Sequence, residues 1–118
     1  MSIVRRIREI IEPYINLPLD SYCMTKVLTH LLTRESIPHA AYIGTIRVRD
    51  DDSLMPHSWI CLGSGQIVDF RSGTWLQDDP SIAHGVFHPD ESSLVYEGVD
   101  VDLSVSQVLF DVLTRKAE

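Results

Sequence analysis

The segment "SYCMTKVLTHLLTRESIP", residues 21 to 38, constrains the fold more than any other. Met24, Val27, Leu28, Leu31 and Leu32 repeat at i, i+3, i+4, i+7 and i+8, so they form one apolar stripe on a helix. Asp20 or Ser21 can cap its start by accepting from the free N–H groups of the first turn. The helix should end around Glu35 to Ser36, ahead of Ile37-Pro38. Such a stripe needs an apolar surface to cover it, and the chain after Pro38 is suited to supply one. Its period changes there, and "AAYIGTIRVR", residues 40–49, reads as a strand with partial alternation around Ile46 and Val48.

A polar loop, "DDDSLMP", leads to "HSWICLGSGQIVDF", which reads as a hairpin with strands over 57–62 and 66–70. Alternation puts His57, Trp59 and Cys61 on one face. The turn decides where Asp69 points. A three-residue loop, Gly63-Ser64-Gly65, pairs Leu62 with Gln66 and Trp59 with Asp69, and Gly65 supplies the left-handed residue that such loops need. Asp69 then shares a face with His57, diagonally across the ladder and within side-chain reach. A two-residue turn at Ser64-Gly65 would send Asp69 to the other face. The placement of the glycines favours the first arrangement.

The other elements are simpler. Ile3, Ile7, Ile10 and Ile11 form an amphipathic helix over 3–12 that ends near Pro13. "SLVYEG", 93–98, reads as a short strand. A final helix is expected over 104–114, with an apolar stripe of Val105, Val108, Leu109, Val112 and Leu113 and a Ser104–Gln107 capping box. Residues 71–93 show no sustained period and are expected to form a long ordered loop with one helical turn near Trp75. With neither repeats nor linkers, residues 1–118 read as a single α+β domain. A net charge of −7 argues against nucleic-acid or anionic-membrane partners. No apolar run is long enough to span a bilayer, and the N-terminus mixes charge among its apolar residues, unlike a signal peptide. Only two cysteines, Cys23 and Cys61, point to a reducing, cytoplasmic setting.

A carboxylate beside an imidazole fixes the tautomer and steadies the protonated ring, which is useful when the second ring nitrogen serves a nucleophile. Cys23 is the candidate. It stands in the first turn of the second helix, where unpaired N–H groups and the positive dipole end favour thiolate and offer a donor to an oxyanion. An Asp20 carboxylate pointing at the sulfur would oppose this. Cys61, in mid-strand without a helix dipole, reads as core.

The order of these residues resembles the transglutaminase-like branch of the papain-like cysteine enzyme superfamily. A cysteine opens "CMTKVLTHLLTRESIPHAAYIG", "HSW" follows on a later strand, and an aspartate lies on the strand after that. The likeness extends to small bacterial members, including the leader peptidases that mature lasso peptides, and covers residues 20–70. It implies a papain/transglutaminase-like fold, with the nucleophile-bearing helix packed on a small antiparallel sheet. It also implies Cys23 as nucleophile, His57 as general base and acid, and Asp69 as the residue that orients His57. The Trp that follows the nucleophile in large transglutaminases is Met24 here, and no upstream Gln stands at the papain-like distance. Asn16 and Tyr22 are the weak candidates for the side-chain oxyanion donor.

The function expected is therefore that of a cysteine hydrolase or acyltransferase (a peptidase, deamidase or transglutaminase-type enzyme). It would act on a peptide or protein substrate through a thioester, with no metal or organic cofactor implied. Tyr22, Trp59, Arg71 and Trp75 are expected to border the substrate, and the loop carrying Arg71, Trp75, Asp78 and His84 to edge the cleft. The alternative is a catalytically inactive transglutaminase-like module that binds a partner. His84, His88 and Asp90 read as loop residues instead of a metal site, because Gly85 and Pro89 disfavour a helix there. "DDDS", 50–53, reads as a solvated acidic loop. His30 and His39 have no partner legible in the sequence.

Overall fold

The computed structural model describes residues 3–49, 53–71 and 85–115. Helix α1, Ile3–Ile11, runs into a 3₁₀ turn at Glu12–Tyr14 that carries Pro13. Helix α2 spans Ser21–Arg34, with Asp20 as its cap: the Asp20 carboxylate accepts from the Cys23 N–H at 2.8 Å. All five residues of the expected stripe are buried. At its far end Ile37 N–H donates to Leu32 O at 2.9 Å and Ser36 N–H to Thr33 O at 3.1 Å. This closure places Ser36 at φ +56°, where glycine usually stands. A Ser36→Gly change is therefore expected to stabilise the fold by about 0.5–1 kcal/mol, read as a rise in urea midpoint at constant m-value.

Strands β1 (His39–Val48), β2 (Met55–Leu62), β3 (Ile67–Asp69), β4 (Gly85–Phe87) and β5 (Leu94–Val101) form one antiparallel sheet in the order β4-β3-β2-β1-β5. One face, through Ala41, Ile60, Leu62, Val68 and Val86, packs on Ile7 and Ile11 of α1 and on the α2 stripe. The other face carries Trp59, Ile67 and Phe87, with Tyr42 and Tyr96 packed against them. The chain is α+β, as its periods imply. No described helix is long and apolar enough to cross a membrane.

Three expectations are corrected. Residues 85–87 and 89–91, assigned to the long loop, are strand β4 and a 3₁₀ turn. A three-residue strand is too short to display a period, and its structure comes from pairing with β3. Helix α3 spans Gln107–Thr114, with Ser106 as cap. Ser104 instead uses its N–H on the Asp102 carboxylate at 2.9 Å. The expected α3 stripe is also largely outward: Val108, Leu109 and Val112 are exposed, and Phe110 is the buried anchor. Phe110 stacks on His30 with centroids 4.3 Å apart and meets Tyr14 edge-on at 5.6 Å. Burying one large ring outweighs burying several small branched side chains, and this sets the rotation of the helix.

Candidate functional site

The hairpin has the register expected from a three-residue loop. Ile60 faces Val68 and Cys61 faces Ile67, Leu62 N–H donates to Gln66 O at 2.8 Å, and Gly65 takes φ +89°. His57 and Asp69 therefore meet on one face. His57 Nε2 lies 2.8 Å from Asp69 Oδ2, and the side chains are only 0% and 2% exposed.

Asp69 is the hub of this pair. Its Oδ2 also accepts from the Tyr96 hydroxyl at 2.8 Å, and its Oδ1 accepts from Arg71 N–H at 2.9 Å. An acceptor-only carboxylate assigns the proton of a neutral ring to Nε2, which leaves the Nδ1 lone pair as the basic site. Nδ1 is fully buried, and among the described residues it has no hydrogen-bond partner. A buried ring nitrogen left unpaired costs stability, so a functional reason for it is worth seeking.

A cavity of about 400 Å³ lies at the head of α2. Asp20, Ser21, Tyr22, His57, Ser58 and Arg71 line it. It forms because the β2–β3 ladder is short, with Ile60↔Val68 and Cys61↔Ile67 its two pairs. Past them the edge of β2 opens, and the first turn of α2 fills part of the gap. There the Ser58 N–H donates to Ser21 Oγ at 3.2 Å instead of to a strand.

The other expected site residues fall as follows. Cys23 is partly exposed and does not line the cavity with His57. Its thiol pKa is raised, first by burial and then by the Asp20 carboxylate beside it, against a smaller lowering by Lys26. Against the expectation that the helix end favours thiolate, burial first and then the negative charge of the capping Asp20 act in the opposite sense on the sulfur. Tyr22 lines the cavity, with the Lys26 ammonium 4.4 Å from its ring centre. Arg71 also lines it, but its guanidinium donates to the carbonyls of Ile15, Leu17, Leu19 and Phe70 at 2.8–3.1 Å, clamping the loop before α2. Burial lowers the Arg71 pKa, with Asp69 acting in the opposite sense. Trp59 is buried on the aromatic face, its ring 6.4 Å from that of His57, and it covers the imidazole without lining the cavity. Trp75, Asp78 and His84 lie outside the described residues.

Cys61 is a partly buried thiol, raised by burial, that donates weakly to Leu62 O at 3.7 Å. His30 has partners after all, in Val105 O at 3.3 Å and Gln107 Oε1 at 3.2 Å. Two residues of the site were not foreseen. Tyr96 escapes sequence reasoning because β5 pairs with β1 across half the chain. Ser21 was read only as a possible cap, yet once Asp20 caps the helix the hydroxyl is free to face β2. Among the described residues, no three His, Cys, Asp or Glu side chains gather as they would around a metal ion. Compared with protein-family models, curated proteins and solved structures, the chain matches none.

Proposed function

We propose that this protein is a transglutaminase-like hydrolase or acyltransferase that acts on an amide bond of a peptide or protein through a covalent acyl intermediate. One observation carries the reading: a buried His57–Asp69 pair leaves ring nitrogen Nδ1 unpartnered beside a cavity at the head of a helix. In this role Asp69 holds the ring and its tautomer. His57 Nδ1 takes the proton of the attacking group and returns it to the leaving amine. The attacking group comes from the first turn of α2, which holds both Ser21 and Cys23. Attack by sulfur gives a thioester and attack by oxygen gives an ester.

Hydrolysis of p-nitrophenyl acetate tests the reading without knowledge of the natural substrate. The protein is expected to release p-nitrophenol in a burst followed by slow turnover. His57→Ala should lower the acylation rate by about 10²–10⁴-fold. The competing reading is an inactive relative that holds a partner in the cavity, and the raised thiol of Cys23 favours it. Under that reading no burst appears and His57→Ala changes nothing.

A further inference from the structure

We infer that Ser21, and not Cys23, is the nucleophile served by His57 and Asp69, which would make this site a serine centre on a cysteine-enzyme plan. The inference rests on the hydrolase reading above. Successive helical residues turn by about 100°, so Ser21 and Cys23 point about 200° apart around α2. Only one of them can face β2. Ser21 does, with its Oγ on the Ser58 N–H at 3.2 Å, inside the cavity that His57 also lines. Cys23 lies on the other flank, with Lys26 one turn on, outside that cavity.

The second observation is independent of the helix end. His57 is 3% exposed, and among the described residues its Nδ1 has no hydrogen-bond partner, neither the Cys23 thiol nor the Ser21 hydroxyl, so it is a buried base still open to a proton donor. The local bonding also suits an attacking hydroxyl. The Ser58 N–H occupies a lone pair of Oγ, which leaves the O–H proton free to go to Nδ1. In resting enzymes such nucleophile–base bonds are often unmade and tighten only with substrate. Asp20 opposes an attacking hydroxyl less than a thiolate, because its Oδ1 already accepts from the Cys23 N–H at 2.8 Å and a hydroxyl need not ionise beforehand.

The steps balance. Ser21 Oγ bonds to the carbonyl carbon as its proton passes to His57 Nδ1 and the carbonyl π pair moves onto oxygen. The tetrahedral species collapses, the C–N bond breaks, and the leaving amine takes the proton from the imidazolium. Water then attacks the ester with His57 again as base. The acid is released and the Ser21 hydroxyl re-forms.

A fluorophosphonate probe and p-nitrophenyl acetate decide the matter together. The probe bonds through phosphorus to a nucleophilic hydroxyl and expels fluoride. The adduct is expected on the peptide carrying Ser21, retained in Cys23→Ala and lost in Ser21→Ala and His57→Ala. Acylation by the ester should fall by about 10³-fold in Ser21→Ala. As a second variant, Ser21→Cys in a Cys23→Ala background should alkylate with iodoacetamide near neutral pH, and adding His57→Ala should slow it. Labelling that survives Ser21→Ala but disappears in Cys23→Ala overturns the inference and leaves the hydrolase reading standing with sulfur as nucleophile. If neither residue is acylated and the ester shows no dependence on His57, both fall.

Discussion

Asp69→Asn is expected to lower acylation by p-nitrophenyl acetate about 10⁴-fold, the scale seen when a triad carboxylate becomes an amide. The reason lies in the direction of the hydrogen bonds. Asp69 accepts three times: from His57 Nε2–H and the Tyr96 hydroxyl on Oδ2, and from Arg71 N–H on Oδ1. An amide has only one oxygen. If its NH₂ takes the Oδ1 position, it meets the Arg71 N–H, donor against donor. If it takes the Oδ2 position, it meets His57, and the ring escapes only by moving its proton to Nδ1. That tautomer has no lone pair left for the nucleophile. Either outcome strands a buried donor and costs about 1–3 kcal/mol.

Asp69→Ala removes the acceptor altogether and is expected to cost about 3–5 kcal/mol, since it also breaks a buried pair. Tyr96→Phe removes one donor of three and should cost about 1 kcal/mol with the ring still oriented. Urea midpoints and ester kinetics on the three variants separate a positioning role from a structural one. Asp69→Asn acylating at the unaltered rate, with the fold intact, would remove Asp69 from the chemistry. An Asp69→Ala protein as stable as the parent would mean that the hub contributes nothing to the fold.

Local codes carried most of the fold. The α2 stripe, its Asp20 cap and the Gly63-Ser64-Gly65 turn each act over a few residues, and the His57–Asp69 contact follows from parity once the turn is known. What stayed hidden is what distant segments decide together. Strand β4 exists because β3 offers it an edge, and α3 turns on its axis because Phe110 finds His30 and Tyr14. The nucleophile question is of the same kind. Spacing puts both Ser21 and Cys23 in the first turn of α2. Only the docking of α2 on the open edge of β2 sets Ser21, and not Cys23, in the cavity that His57 also lines.

Gly44→Ala is expected to be the most damaging small change in the sheet, at about 4 kcal/mol or more. Gly44 of β1 lies opposite both His57 of β2 and Gly98 of β5. A methyl at Gly44 would run into the carbonyl oxygen of Glu97 and stand 2.5 Å from Gly98 Cα. Both obstacles are backbone, so relief requires β5 to move away from β1. That movement reaches the site, because β5 carries the Tyr96 hydroxyl that bonds Asp69. The same close approach seats Trp59, whose Cη2 would lie 2.9 Å from a methyl at Gly98. Trp59 in turn meets Tyr96 edge-to-face at 5.0 Å. Gly44→Ala should therefore lower Tm by roughly 15 °C and weaken the near-ultraviolet dichroism of that aromatic pair. Gly63→Ala is the control. Its φ is not positive and no atom lies within 4 Å of the added methyl, so its stability should stay within about 0.5 kcal/mol of the parent. If the two variants melt alike, the β1–β5 approach is not what holds Tyr96 over the hub, and the reach of its hydroxyl must come from β5 alone.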